Sequence, residues 1–295
     1  MRESHSRIGE YEFHGLDPRK RGASADAPVT RRYAVTVNGS QRPAHILTEL
    51  GFTMTRVGDD LHGTASITPE LCVPGTPHLR TSVLAAWADV VAGHLAAYSI
   101  APRVPVTLEL DVHLYRPAPG SGTLHAVGRT VKAGRSVFVA AVEFTTGDGE
   151  PVAVGAGSFM SAPDPSAKLP EQLSVGIPVA DELLSVPLAE RAGCVRQMPG
   201  VAVLPRSEDG LNASDSVNGG LIALAAEEAA LSLAPGETLS SLSLRYLQAV
   251  RIGPAVAAAR ILDGLGLVEL HDSGNANRLC ATATTRTFGA LRRAA

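Results

Sequence analysis

The sequence has few aromatic residues and little net charge, and both shortages exclude a class of partner. Phe, Trp and Tyr make up 4% of the 295 residues, with a single tryptophan at Trp87. Stacking on nucleic acid bases relies on aromatic side chains, and this low aromatic content argues against such stacking. The 26 basic and 29 acidic residues give a formal net charge of -3, which is too little positive charge to hold a phosphate backbone. We therefore expect no nucleic acid partner.

Cysteine is also scarce. Cys72, Cys194 and Cys280 are odd in number and far apart, a pattern that favours neither a disulfide framework nor a thiolate metal site. The nine histidines are scattered, with no pair at the helical spacing of metal ligands, so we expect no metal. The pentapeptide Gly-x-Ser-x-Gly is absent, which excludes a serine hydrolase of the nucleophile-elbow type.

Long apolar runs are not evident either. No uninterrupted apolar segment approaches the roughly 18 residues of a membrane span, and residues 1–20 contain no hydrophobic signal segment. We therefore predict a cytoplasmic protein with no membrane partner. The alanine-rich composition, with more Arg than Lys, favours a GC-rich bacterial source.

The chain has the composition and length of a two-domain globular protein. Hydrophobic residues make up 45% of it, enough for a sizeable core. At about 150 residues per domain, the length predicts two domains. A charged first segment predicts a mobile tail, and four prolines within residues 161–178 predict a linker. The predicted parts are a tail over 1–32, a domain over 33–162, a linker over 163–180 and a second domain over 181–295.

Both predicted domains show the same order of elements. In the first, strand-like segments precede a proline-free apolar helix at Leu79–Ala97, and four strand-like runs follow. In the second, a strand at Val201–Arg206 precedes an apolar helix at Gly219–Leu233, and four runs follow again. The repetition indicates a tandem duplication. An antiparallel sheet that curls around a long helix can bury it, so each domain is predicted to be one such unit.

Each predicted helix carries one carboxylate inside an apolar stretch. With Thr81 aligned on Gly219, Asp89 falls on Glu227 without a gap. Burying a carboxylate is costly unless it has a partner. The two carboxylates therefore either face solvent or cap a neighbouring loop, or they take part in a reaction.

A glycine pair opens the second helix. Gly219-Gly220 leaves backbone N–H groups unpaired at the positive end of the helix dipole, which suits polarising a carbonyl group. A plain tight turn is the alternative. Gly219 and Glu227 are eight residues apart, roughly 12 Å along a helix, so one helix cannot present both to the same carbonyl. Two antiparallel helices can, because the start of one then lies beside the middle of the other.

These residues resemble the hot-dog-fold acyl-CoA thioesterases of the phenylacetate-pathway (PaaI-like) type. The family's motif looks like Asn, five residues, His-Gly-Gly, and an acidic residue eight positions after the first Gly. The second half matches it with Asn212, Asn218-Gly219-Gly220 and Glu227, with Asn218 in place of the His.

The first half retains less of that motif. Asp89 matches, whereas Pro74 replaces the Asn and Arg80-Thr81-Ser82 replaces His-Gly-Gly. The resemblance covers residues 43–160 and 185–288. It implies an α+β fold, a double hot-dog with two antiparallel sheets that each wrap around a long central helix.

The resemblance also implies a reaction, the hydrolysis of an acyl-CoA to a free acid and CoA. It implies no cofactor, since CoA is part of the substrate. In the implied site the Gly219 N–H holds the thioester oxygen, Asn212 helps to place the attacking group, and Asp89 acts as base or nucleophile. Thr107 assists that carboxylate. The remaining substrate contacts would be Asn218 and Gly220.

The reciprocal site keeps only its carboxylate. It would combine Glu227 with Arg80 and Thr81, while Pro74 replaces the Asn and Leu239 replaces the assisting hydroxyl. The resemblance therefore implies one competent site and one decayed site in each chain.

Two other functions stay open at this point. One is a hydratase or dehydratase of the same fold, which would need a His paired with an acidic residue at the site. The other is a non-catalytic acyl-CoA-binding module.

The sequence does not specify the acyl group. Candidates for contacts with CoA phosphates, each also readable as an ordinary surface charge, are Arg80, Arg116, Lys132 and Arg135. We expect a homodimer or a higher homo-oligomer, because twofold pairing is the commonest route to oligomers.

Overall fold

The computed structural model describes residues 45–171, 173, 180, 182–212 and 214–289. The helices of this part are α1 (Thr81–Ile100), α2 (Leu188–Arg191) and α3 (Gly219–Ser232). The strands are β1 (Thr53–Val57), β2 (Asp60–Ile67), β3 (Pro105–Leu114), β4 (Gly122–Ala133), β5 (Phe138–Thr146), β6 (Pro151–Ser161), β7 (Val195–Met198), β8 (Val201–Leu204), β9 (Leu239–Tyr246), β10 (Ala255–Leu262), β11 (Leu265–Asp272) and β12 (Arg278–Thr287). The predicted tail, residues 1–32, lies outside the described residues, as do residues 172 and 174–179 of the predicted linker.

Both halves contain a pair of strands, a long helix and four more strands. The sequence predicts this order except for β7, whose four side chains are all exposed. A strand this short with no buried side chain has no hydrophobic alternation, so periodicity cannot find it. The helices end where proline follows. α1 stops at Ile100, ahead of Pro102, and α3 stops at Ser232, ahead of Pro235.

The strands form one sheet of twelve, with the order β1-β2-β4-β5-β6-β3-β9-β12-β11-β10-β8-β7. All neighbouring strands are antiparallel, and the second six strands mirror the first six. The fold is the predicted double hot-dog, but the two predicted sheets are continuous. β3 and β9 pair edge to edge at the centre, because an unpaired sheet edge would leave backbone N–H and C=O groups unsatisfied.

The register of the β3–β9 pair shows how the two halves correspond. Asp111 pairs with Ser243 at its centre, and Glu109 and His113 pair with Arg245 and Ser241 on either side. Asp111 and Ser243 lie at the centre of this antiparallel pair, so they are equivalent positions of the two halves. The equivalent position of any β3 residue therefore lies 132 positions later, in β9, and differs from its pairing partner except at the centre.

The two long helices lie side by side and run antiparallel. The start of α1 contacts the middle of α3, where the Thr81 N–H meets Glu227. The start of α3 in turn lies against the middle of α1, where a Cβ placed on Gly220 would meet Ala86. This arrangement brings the helix start of each half to the carboxylate of the other.

α1 is the core helix of the first half. Leu84, Ala88 and Val91 are completely buried, and the ring of Trp87 stacks on Phe52 with 5.2 Å between centroids. By length and composition alone α1 could cross a membrane, with a mean hydropathy of 1.4 over its most apolar window, and 61% of that window is buried in the protein. Isolated polar residues interrupt α1, so it is not an uninterrupted apolar run, but its mean hydropathy stays high enough for it to count as a candidate span by length and composition.

Candidate active site between the two halves

Asp89 and Thr107 meet where α1 packs on β3. The Thr107 hydroxyl donates to Asp89 Oδ1 at 2.9 Å. Strict alternation along β3 would turn Thr107 away from the helix, because Leu110 and Val112 are the buried positions. A bulge at Leu108 shifts the register between β3 and β6, and Thr107 therefore faces α1.

The start of α3 supplies an unpaired backbone donor beside that carboxylate. The side chain of Asn218 caps the helix, with Oδ1 accepting the Gly220 N–H at 2.8 Å. The Gly219 N–H has no hydrogen-bond partner within the described part of the chain. A helix N-terminus with a free N–H is suited to hold a carbonyl oxygen that becomes negatively charged.

A side chain at Gly219 would crowd the Asp89 carboxylate and the Tyr246 hydroxyl. A Cβ placed on Gly219 would lie 3.4 Å from Asp89 Oδ2 and 3.2 Å from the Tyr246 hydroxyl oxygen. The Tyr246 hydroxyl donates to the Gly219 carbonyl at 2.9 Å. Sequence reasoning missed Tyr246. The sequence feature that could have indicated it is a tyrosine at the end of a strand built mainly from Leu and Ser.

The surroundings of Asp89 make its carboxylate more basic. Burial raises the pKa of the Asp89 carboxyl from 3.8 to about 6, and the hydrogen bond from Thr107 offsets part of that rise. A pKa near 6 leaves most of the carboxylate ionised at neutral pH while it can still accept a proton. Asp89 is therefore suited to act as a base in this position.

Asn212 bonds to its own loop. Its side chain is exposed, and Oδ1 accepts hydrogen bonds from Ser214 N at 2.9 Å, Ser216 N at 3.2 Å and Ser216 Oγ at 3.0 Å. These bonds shape the loop that leads to α3, since a short amide side chain readily bonds to nearby backbone groups. Asn212 therefore shapes this loop, and its role in placing the attacking group stays a prediction.

Gly220 packs closely against α1, and its role as a substrate contact stays a prediction. Its N–H is taken by Asn218, and a Cβ at this position would lie 2.7 Å from Ala86 Cβ and 3.2 Å from Leu47 Cδ1. Contacts below about 3 Å cannot be accommodated without a shift of the neighbouring atoms. Gly220 therefore allows the close packing of α3 on α1. Asn218 acts as the helix cap.

The reciprocal site is closed by its own carboxylate. Glu227 is fully buried, and its Oε1 accepts the N–H of Thr81 at 2.8 Å and the N–H of Ser82 at 3.3 Å. Its Oε2 accepts the Ser82 hydroxyl at 2.6 Å. The backbone donors at the start of α1, which correspond to the free donor of Gly219, are thus already occupied.

Arg80 also helps to close the reciprocal site, through ion pairs with two buried carboxylates. Its Nη1 lies 3.3 Å from Glu227 Oε2 and 2.6 Å from Glu228 Oε1, and Glu228 Oε2 accepts a bond from Arg196 Nε at 2.6 Å. Burial alone would lower the pKa of Arg80, but the charges of Glu227 and Glu228 outweigh it and raise the pKa. Because Arg80 is completely buried, it is neither a surface charge nor a contact for CoA phosphates, which corrects the prediction.

Leu239 occupies the position that corresponds to Thr107. The two residues are 132 positions apart, and a bulge at Ser240 repeats the bulge at Leu108. Leu239 is fully buried and offers its carbonyl to the Thr81 hydroxyl at 2.9 Å, so this half has no side-chain hydroxyl at the position of Thr107. Pro74 lies exposed before α1.

The cysteines and His94 lie outside this site. Burial raises the pKa of the Cys72 and Cys280 thiols, and raises the pKa of the Cys194 thiol to about 12. His94 Nδ1 bonds to the carbonyl of Val90 at 2.8 Å, and burial lowers the pKa of its ring. Within the described ranges, no three His, Cys, Asp or Glu side chains cluster closely enough to hold a metal ion.

Residues 78–153 match the family model of the thioesterase superfamily. The matched segment covers about a quarter of the 295 residues and includes α1, Asp89 and Thr107. The first half of the chain is therefore similar, over this segment, to the thioesterase superfamily. No curated protein matches the sequence.

Solved structures share the double hot-dog fold at low sequence identity. An acyl-ACP thioesterase from Bacteroides thetaiotaomicron matches at 14% identity with a TM-score of 0.56, over 78% of this chain and 98% of its own. The 12:0-ACP thioesterase from Umbellularia californica matches at 12% identity with a TM-score of 0.57, over 79% and 98%. The tesB protein of Mycobacterium avium subs paratuberculosis matches at 16% identity with a TM-score of 0.53, over 82% and 97%. Likeness at this identity establishes the fold. Together with the family match, it confirms the resemblance to hot-dog thioesterases.

Proposed function

We propose that this protein hydrolyses acyl-CoA thioesters to the free acid and CoA at one site between its two halves. The observation that carries the proposal is the pairing of Asp89 with the open donor at Gly219. In the reciprocal pair, Glu227 already accepts the N–H of Thr81, and both residues are buried. One half-site can therefore accept a carbonyl group and the other cannot.

The reaction follows from the groups around Gly219. The thioester carbonyl oxygen accepts the Gly219 N–H, which stabilises the negative charge that develops there when the carbonyl carbon is attacked. Asp89 either removes a proton from a water molecule that attacks this carbon, or attacks the carbon itself. Thr107 orients Asp89 in both cases through its bond to Oδ1.

Atoms and protons balance along either route. A C–O bond forms, the C–S bond breaks, and CoA leaves as a thiolate that takes up a proton. In the general-base route Asp89 carries that proton from the water. In the nucleophilic route an anhydride forms as the C–S bond breaks, and water then cleaves the anhydride. This cleavage yields the free acid, regenerates the Asp89 carboxylate and releases the proton that the CoA thiolate takes up.

The acyl carrier and the subtype are the finer parts of the proposal. Two of the similar structures are described as acyl-ACP thioesterases, and CoA and acyl carrier protein share the phosphopantetheine thiol. We favour CoA and the PaaI-like subtype, because the carboxylate lies opposite a glycine helix start across two half-units. A cytoplasmic location, a bacterial source and a homodimer or higher homo-oligomer stay predictions from the sequence and the resemblance.

Release of free CoA from a panel of acyl-CoAs tests the proposal. We expect the wild-type protein to release thiol from at least one ester and Asp89→Asn to release far less. Binding of acyl-CoA without thiol release would support the binding module, and consumption of an enoyl or hydroxyacyl ester without thiol release would support the hydratase. Thiol release from acyl-ACP alone would keep the chemistry and change the carrier.

A further inference from the structure

Tyr246 ties the start of α3 to the sheet. It is the last residue of β9, and its hydroxyl donates to the Gly219 carbonyl at 2.9 Å. The carbonyl of a first helical residue is ordinarily bonded only within its own helix. A second bond from a strand therefore restrains the position of Gly219 against the sheet.

The strand that carries Tyr246 also pairs with the strand that carries Thr107. β9 pairs with β3 at the centre of the sheet, and Thr107 lies two residues before the first paired residue, Glu109. Thr107 holds Asp89 from β3, and Tyr246 holds Gly219 from β9. The Asp89 carboxylate and the Gly219 N–H are thus each positioned by a residue of one of two paired strands.

The counterpart of Tyr246 has no hydroxyl. Because the two strands correspond at an offset of 132 positions, Leu114 takes this place in the first half. The closed half-site holds Thr81 in another way, through the bond of its own side chain to the Leu239 carbonyl. The tyrosine anchor therefore occurs beside the open donor and not beside the closed one.

We propose that Tyr246 is a positioning residue that holds the Gly219 N–H in register with Asp89 for the reaction. This inference rests on the proposed function. Without the anchor, the first turn of α3 can shift against α1, and a displacement of the oxyanion donor costs rate because the donor acts only at the correct distance. Burial and the charge of Asp89 raise the pKa of the Tyr246 phenol well above 10, so its hydroxyl stays a donor at neutral pH.

Tyr246→Phe tests the inference, because it removes the hydroxyl and keeps the ring. Tyr98→Phe is the matched control, since the buried Tyr98 hydroxyl has no hydrogen-bond partner in the described part of the chain. We expect kcat for CoA release to fall about tenfold to hundredfold in Tyr246→Phe, with KM changed less than about threefold. Tyr98→Phe keeps the wild-type kcat.

A binding measurement separates positioning from partial unfolding. The probe is an acyl-CoA analogue with a methylene in place of the thioester sulfur, which keeps the carbonyl group and cannot be hydrolysed. We expect Tyr246→Phe to bind it by calorimetry with wild-type stoichiometry. Wild-type kcat in Tyr246→Phe, or a kcat that falls only in proportion to the binding stoichiometry, would overturn the inference and leave the proposed function standing. If the wild-type protein itself releases no CoA from any acyl-CoA, both are overturned.

Discussion

Glu227 Oε1 lies 2.8 Å from the backbone nitrogen of Thr81, at the start of the neighbouring helix. Asp89 faces the start of α3 in the corresponding way, but the N–H of Gly219 stays free in the described part of the chain. Glutamate is one methylene longer than aspartate and reaches the backbone donors. The pair that is a structural cap in one half is therefore an open site in the other.

Glu227 should matter for stability and not for the reaction. Glu227→Gln removes one of the two charges that compensate the buried Arg80, so we expect the free energy of unfolding to fall by about 3 kcal/mol. Denaturant unfolding measures this loss. The exposed Glu150→Gln is the control and should change stability by less than about 0.5 kcal/mol. Equal stability of the two variants would contradict the closed half-site.

The rate should depend on the ionisation of Asp89. Because its pKa is raised to about 6, we expect kcat/KM to fall as the pH drops through about 6 and to level off above about 7. The bond from Thr107 lowers the pKa of Asp89, so Thr107→Val should move the midpoint upwards. Thr107→Ser keeps a hydroxyl and should leave the midpoint near that of the wild type. A midpoint that ignores both variants would exclude Asp89 as the titrating group.

Asp89→Asn should stabilise the fold while it stops the reaction. The pKa of Asp89 is raised on folding, so its contribution to stability is fully present below its unfolded pKa of about 3.8 and is lost as the pH rises through about 6. Asparagine carries no such penalty. At pH 7.5 we expect the variant to be more stable by about 1–3 kcal/mol, and this advantage should shrink towards pH 4. Asp59→Asn, at a fully exposed position, is the matched control. A stability difference that is constant between the two pH values would contradict the raised pKa.

Substitutions of the two glycines at the start of α3 should have different effects, one on the rate and the other on stability. A side chain at Gly219 would enter the space between Asp89 and Tyr246, so Gly219→Val should cost about as much kcat as Asp89→Asn, with a folded protein. Gly220→Ala should instead lower stability, because its Cβ would lie 2.7 Å from Ala86 Cβ. Kinetics and thermal unfolding of both variants measure this. Loss of stability at Gly219 with an unchanged rate in the folded fraction would reverse the two roles.

The sequence predicts the frame of the molecule because the duplication constrains it. Two helices of equal pattern, each followed by four strands, require a double unit, and the alignment of Asp89 on Glu227 places each carboxylate opposite a helix start. The position of Thr107 follows instead from the resemblance to the hot-dog thioesterases, by counting back from Leu114-Tyr115-Arg116-Pro117, which matches the strand ending of that family.

The details that the sequence does not predict depend on side-chain geometry. Asn212 satisfies its own loop, and Gly220 fills a packing role, because the nearest donors and atoms decide both. Arg80 is a basic residue that would ordinarily be exposed, and the ion pairs with Glu227 and Glu228 compensate its burial. Tyr246 is far from Gly219 in sequence, and no motif links them.

A paired measurement of kcat for CoA release by Asp89→Asn and Glu227→Gln tests the central claim most directly. The site between Asp89 and Gly219 predicts that Asp89→Asn lowers kcat by about two to four orders of magnitude, while Glu227→Gln, corrected for its folded fraction, stays within a few-fold of the wild type. A silent Asp89→Asn together with an inactive Glu227→Gln would place the reaction in the other half-site and contradict the account.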